Sequence, residues 1–183
     1  ERFRRQRQMC IRDRWKFNWS RNDYDQLAGA LAAGHIIECG AQATGGNYSF
    51  FMEVPTFKDI GYPIAEINQD GSFIITKHPN TGGLVSVGTV TAQLLYEIGS
   101  PAYVNPDVIS HFDTLKIEQE AEDRVFVSGC RGSSPPKDHK VCINLAGGFR
   151  NGTELLLTGL DIEEKAKLIT CLLYTSDAAD ETV

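Results

Sequence analysis

Several things are missing from this sequence, and each absence removes a class of protein. It has no run of 18 apolar residues, so no segment reads as a membrane-spanning helix. Its four histidines, His35, His78, His111 and His139, form neither an HxxxH nor an HExxH pair, and no two cysteines stand at CxxC spacing. The short-range metal motifs are therefore absent. A Walker A loop, a GxGxxG turn and a Gly-x-Ser-x-Gly elbow are also lacking. P-loop, dinucleotide-binding and α/β-hydrolase sites therefore have no local signature here.

Basic charge is scarce once its position is taken into account. Six of the 18 Lys and Arg residues fall within residues 1–14, and residues 170–183 contain Asp177, Asp180 and Glu181 with no basic residue. The strings Met9-Cys-Ile-Arg-Asp-Arg14 and Cys171-Leu-Leu-Tyr-Thr-Ser-Asp-Ala-Ala-Asp-Glu181 resemble translated adapter sequence. Residues 1–14 and 170–183 are thus expected to be artefactual or disordered ends, outside the fold. A basic arm for nucleic acid and an arginine-rich transit peptide are the alternatives for the first segment. Without the ends, basic residues fall from 18 to 12 and acidic residues from 24 to 19, a net charge of −7. A nucleic-acid partner or an anionic membrane surface needs clustered Lys and Arg, so neither is expected. The cysteines reduce to Cys39, Cys130 and Cys142, sparse and odd in number, which fits a reducing compartment and a cytoplasmic protein.

The remaining 155 residues suit one domain. Tyr24, Leu27, Ala28 and Leu31 are spaced for one apolar helical face, so a helix is expected over 22–33, ended by Gly34. A short strand is expected over 35–39. Gln69-Asp70-Gly71 lies between Ile64–Asn68 and Ser72–Thr76 and predicts a hairpin. Leu84, Val87, Thr91, Leu94, Leu95 and Ile98 predict a helix over about 84–97, and Gly88 within it predicts close packing against a neighbour. Strand pairs are expected at 115–119 with 124–128 and at 140–145 with 153–158, a flexible connector at 132–136, and a helix from Ile162. The fold class is α/β: a glycine-loop, mixed α/β layered portion over 15–103, then a strand-rich hairpin α+β portion over 104–169. The second portion belongs to the same domain or begins another.

Two glycine loops hold the candidate chemistry. Gly40–Gly46 follows the 35–39 segment and brings Glu38, Cys39, Gln42, Thr44, Gly45 and Gly46 together, a polar cluster of the kind α/β folds place near ligands. Glu38, between Ile37 and Cys39, must find a partner or face a cavity, which makes it the acid/base candidate. Cys39 acts as a nucleophile only if a neighbouring base lowers its pKa. The plainer reading makes Cys39 an inert small residue and His35 a structural one. In the second loop, Thr81-Gly82-Gly83 leads into a helix start, where unpaired amides and the helix dipole favour anions, and Lys77 stands just upstream. The plainer reading there is an ordinary turn beside a surface lysine.

The segments Gly34-His-Ile-Ile-Glu-Cys-Gly-Ala-Gln-Ala-Thr-Gly-Gly46, Gly61-Tyr-Pro-Ile-Ala-Glu66, Ile75-Thr-Lys-His-Pro-Asn-Thr-Gly-Gly83 and Val90-Thr-Ala-Gln-Leu-Leu-Tyr-Glu-Ile-Gly99, with Pro101 and Pro106-Asp107, occur in one order and spacing. Together they resemble the acyclic terpene utilisation (AtuA-type) family, over most of residues 15–169. That resemblance implies an internal portion of a longer protein in the catabolism of acyclic terpenes such as citronellol and geraniol. It implies a small-molecule substrate, an acyl-CoA or carboxylate intermediate, and names no cofactor. The partners it admits are a CoA thioester, an acyl-CoA carboxylase, or further copies of the chain. A non-catalytic subunit or assembly protein of a carboxylase system is the alternative role.

Overall fold

The computed structural model describes residues 11–96, 98–137, 156–157 and 159–168. The chain divides into two compact units, Glu1–His139 and Lys140–Val183. The first is mixed α/β. It contains helix α1 at residues 11–17, helix α2 (Tyr24–Ile37), strands β1 (Pro63–Ile67) and β2 (Phe73–Lys77), and helix α3 (Val87–Leu95). Strands β3 (Ala102–Val104), β4 (Ile109–His111), β5 (Lys116–Ala121), β6 (Arg124–Ser128) and β7 (Arg131–Ser133) follow. They form a four-stranded antiparallel sheet ordered β1-β2-β6-β5 and a three-stranded antiparallel sheet ordered β3-β4-β7.

The expected helix exists but runs through Gly34 to Ile37, and no strand forms over 35–39. A terminating glycine needs a left-handed φ, and the first one after Tyr24 is Gly40, at φ 55. Every residue from Leu27 to Ile36 is buried. An all-round apolar helix is a core helix, and α2 packs on strands of both sheets and on α3. Its small residues allow backbone to approach backbone. A Cβ on Gly29 would overlap the carbonyl of Gly71, and one on Gly132 would overlap the carbonyl of Tyr24. Ser110 Oγ donates to the Ala28 carbonyl at 3.1 Å, and the Gly132 N–H donates to Asp25 Oδ1 at 2.8 Å. This docking onto α2 also corrects the 132–136 connector: Gly132 lies within β7.

The Asp-Gly hairpin forms as expected. β1 and β2 pair with Ile67 opposite Phe73, and Gly71 takes φ 85 in the turn. The Trp19 indole N–H donates to the Gln69 carbonyl at 2.9 Å, so the segment after α1 pins the turn from outside. Phe73, Ile75, Val125 and Val127 alternate onto the inner face of the sheet and are fully buried. Each contributes roughly 1.5–3 kcal/mol of burial.

The 115–119 and 124–128 strands also form, as β5 and β6, with Asp123 at φ 50 in the connecting turn. Helix α3 starts later than expected because Ser86 is its cap. Ser86 Oγ accepts from the Thr89 N–H, and Thr89 Oγ1 accepts from the Ser86 N–H, a capping box. Gly88 packs against the Tyr48 phenol, as its place in a helix predicted. The 140–145 and 153–158 pair lies outside the described residues, apart from residues 156–157. In the second unit, residues 162–168 are helical, and Lys165 pairs with Asp161 at 2.8 Å.

The close approach of α2 gives a test. Gly29→Ala is predicted to destabilise the chain by about 1–3 kcal/mol, because backbone must move to admit the methyl. Gly99→Ala, where nothing lies within 4 Å, is the control. Urea unfolding midpoints compare the two, and equal midpoints would contradict the close-packing account.

Candidate functional site

The carboxyl end of α2 opens directly into the first glycine loop. Glu38 is the C-cap residue, and its N–H donates to the Gly34 carbonyl. Because the helix continues past Gly34, His35 and Glu38 stand three apart on one helical face. His35 Nδ1 lies 3.3 Å from Glu38 Oε1, with the side chains 2% and 7% exposed. The imidazole is walled by Tyr103 and Phe112, at centroid distances of 5.4 and 5.7 Å. Cys39 follows, half-buried and outside any disulfide. Residues Gly40–Gln42 form a single 3₁₀ turn under the Tyr62 ring.

Thr44 joins this loop to the second one. It is fully buried, its Oγ1 donates to the Gly61 carbonyl at 2.6 Å, and its own carbonyl accepts the Leu84 N–H at 2.8 Å. Gly83, at φ 88, lies against Thr44, and Ile60 and Gly82 form a parallel bridge between the segments. Gly45, at φ 125, packs on Val54, and the Gly46 N–H donates to the Ala41 carbonyl. The two glycine loops therefore converge, and backbone hydrogen bonds hold them together.

The amides from the end of the second loop into α3 are engaged within the protein. Gly82 donates to the Asp59 carbonyl, Gly83 to that of Thr56 and Leu84 to that of Thr44. Val85 donates to Asp123 Oδ1 at 2.8 Å and Val87 to Gln119 Oε1 at 3.1 Å. Lys77 Nζ, 6% exposed, donates to the Thr81 carbonyl at 2.9 Å and pairs with Asp123 Oδ2 at 2.8 Å. Thr81 Oγ1 donates to the His78 carbonyl. A carboxylate does bind lysine and amide here, and it is the chain's own Asp123. An external anion at this junction would have to displace it.

Sequence reasoning missed Asp123 and Gln119, because their hairpin is remote in sequence from the loop it clamps. It missed the His35–Glu38 pair for another reason: the i,i+3 spacing carries no signal when 35–39 is read as a strand. A cleft of about 240 Å³ lies near the other end of α2, bordered by Asp25, Asp70, Ser72, Ser128, Cys130 and Arg131, and holds none of the loop candidates. Two hydrogen bonds from Ser72 hold the Asp70 carboxyl below its usual range. Burial pushes the Cys130 thiol up to about 11, although its contact with Ser110 opposes this. Among the described residues, no group of three or more His, Cys, Asp and Glu side chains is arranged to hold a metal. Nor is any described helix long and apolar enough to cross a membrane.

Fold and loops together define a mixed α/β protein in which a buried histidine–carboxylate pair leads into the first of two converging glycine loops. The chain belongs to the acyclic terpene utilisation family AtuA, whose family model matches residues 13–177, and its role is in acyclic terpene utilisation. No curated protein and no solved structure matches the chain.

Two predictions follow from these contacts. Asp123→Ala strands a buried ammonium, so it is expected to cost about 3 kcal/mol, while Lys77→Met with Asp123→Ala should recover part of the loss. A double-mutant cycle by urea unfolding measures this, and additive losses would contradict the pairing. Cys130 should also resist iodoacetamide below about pH 10 in the folded chain, since its thiol stays protonated, with peptide mass spectrometry as the readout. Alkylation of Cys130 as fast as that of Cys39 at pH 8 would refute the burial assignment.

Proposed function

We propose that this chain acts in the breakdown of acyclic terpenes of the citronellol and geraniol type, on an acyl-CoA or carboxylate intermediate. Glu38 is the acid/base residue in this reading and His35 orients it. The observation that carries the proposal is the 3.3 Å His35–Glu38 contact, enclosed by Tyr103 and Phe112 at the mouth of the first glycine loop. A carboxylate in a water-poor, aromatic setting suits proton transfer at a carbon that a thioester carbonyl acidifies, which in the 2-enoyl thioester geranyl-CoA is the γ-carbon. Imidazole on one oxygen fixes the carboxylate's orientation for proton transfer. The aromatic wall suits an isoprenoid chain.

The remaining candidates take supporting roles. Gln42 contacts the ligand, and Thr44, Gly45 and Gly46 shape the loop that admits it. Lys77, Thr81, Gly82 and Gly83 brace the second loop, which is bonded to the first through Leu84 and Thr44. Cys39 adjoins Glu38 and is the second catalytic candidate, as a nucleophile toward the thioester carbonyl. That Cys39 and Cys130 are in no disulfide is in keeping with a cytoplasmic setting.

A second reading, a non-catalytic subunit or assembly protein of an acyl-CoA carboxylase, is favoured by one observation. Phe50, Met52 and Tyr62 are 66%, 78% and 67% exposed within a short span of chain. Co-elution with geranyl-CoA carboxylase subunits that Met52→Glu abolishes would support this reading.

The catalytic reading predicts that the chain incorporates solvent deuterium into the acyl chain of geranyl-CoA, followed by NMR. Glu38→Gln should lower that rate by about 10²–10⁴-fold with an unchanged melting temperature. No incorporation by the parent chain, or an equal rate in the variant, would sink it.

A further inference from the structure

We propose that Gln42 and Gln93 form a recognition site for an amide-bearing ligand arm, of the kind that carries an acyl group as a pantetheine thioester. The inference rests on the thioester reading above and adds how such a substrate is gripped.

Gln93 lies on α3 and is fully buried, yet neither its Oε1 nor its Nε2 has a hydrogen-bond partner. Gln42, in the 3₁₀ turn of the first glycine loop, has its Oε1 buried and equally unpartnered. Unpaired amide atoms are costly in a protein interior, and buried polar groups are otherwise almost always satisfied. Two such side chains in one region call for an explanation. Asn47 ties them to the same region: its N–H donates to the Gln42 carbonyl at 3.0 Å. Its Nδ2 donates to the carbonyl of Ala92, the residue before Gln93, at 3.3 Å.

The unmet atoms select the ligand. They are two carbonyl oxygens, which need donors, and one amide nitrogen, which needs an acceptor. A carboxylate supplies only acceptors and leaves both oxygens unmet. A secondary amide supplies an N–H and a C=O together, and a pantetheine arm contains two secondary amides and hydroxyl groups. Gln42 is half-buried and Gln93 fully buried, so a ligand entering this site would meet Gln42 first. The same loop starts at Glu38, so an arm held there delivers its thioester end toward the His35–Glu38 pair.

Thermal unfolding of the full chain tests this, with pantetheine as probe and propionate as the carboxylate control. Pantetheine at millimolar concentration should raise the melting temperature by about 2–4 °C and propionate should not. Gln93→Leu should abolish the pantetheine shift and, relieved of an unpaired amide, unfold alone at the same or a higher temperature. If that variant fails to fold, Gln42→Leu provides the same readout. No shift with pantetheine, an equal shift in the variant, or an equal shift with propionate would overturn the site. Deuterium exchange separates it from the acid/base reading. Gln93→Leu should raise KM for geranyl-CoA by about tenfold with kcat unchanged. Exchange that needs Glu38 but ignores Gln93 would leave the acid/base reading standing and remove this one.

Discussion

Asp123 occupies two oxygens with two separate tasks, and the arrangement of the loops depends on both. One oxygen takes the Val85 N–H ahead of α3, and the other takes the nearly buried Lys77 ammonium. Lys77 in turn donates to the Thr81 carbonyl, so one carboxylate fixes the end of β2, the second glycine loop and the approach to α3. Asp123 reaches them from the β5–β6 turn at φ 50, a backbone conformation that Asp tolerates better than most residues. Gln119 on β5 reinforces the clamp, accepting from the Val87 N–H and donating to the Val85 carbonyl. The strand-rich portion thus acts as the brace of the glycine-loop portion, and the shared four-stranded sheet carries the load between them.

The second constraint is the smallness of α2. Ala28, Ala30, Ala32 and Ala33 are fully buried, and Gly29 lets the Gly71 turn touch the helix backbone. A helix so enclosed cannot end where its glycine stands in the sequence. It runs on to Ile37, shortly before the left-handed Gly40, and that displacement puts His35 in the last turn and Glu38 at the C-cap instead of on a strand. Pairing at i,i+3 follows from helical geometry alone. The site therefore owes its central contact to packing at the opposite end of the helix.

Local features were legible in the sequence, and long-range ones were not. The Asp70-Gly71 turn, the β5–β6 pair and the close packing at Gly88 follow from short-range rules, since turn chemistry and glycine in a helix act over a few residues. Gly34 misled because a glycine after an apolar run carries the same signal whether it caps a helix or lies within a buried one. For the second loop, the sequence showed a lysine close to loop amides, but it could not say that the chain's own carboxylate reaches them from across the fold. Asp123 is one acidic residue among many until β5 and β6 are folded against α3. Glu38 was legible as a carboxylate in need of a partner, and the partner was only three residues away.

These constraints divide the labour between the loops. The second loop spends its donors on the protein: carbonyls take the amides of Gly82 to Leu84, and Asp123 and Gln119 take those of Val85 and Val87. The first loop differs, because Gln42 keeps a buried oxygen without a partner there, and Gln93 keeps two amide atoms unmet beyond Asn47. A loop whose polar groups are satisfied rigidifies, and one that retains unmet polar atoms can still gain hydrogen bonds from a ligand. Rigid support beside unmet polarity is what a binding site requires, since the support limits the ordering cost when a ligand arrives. On this argument the second glycine loop is the scaffold and the first is the working surface. The proposed ligand chemistry would then sit beside Glu38 and Gln42, with Lys77 supplying the stiffness behind it.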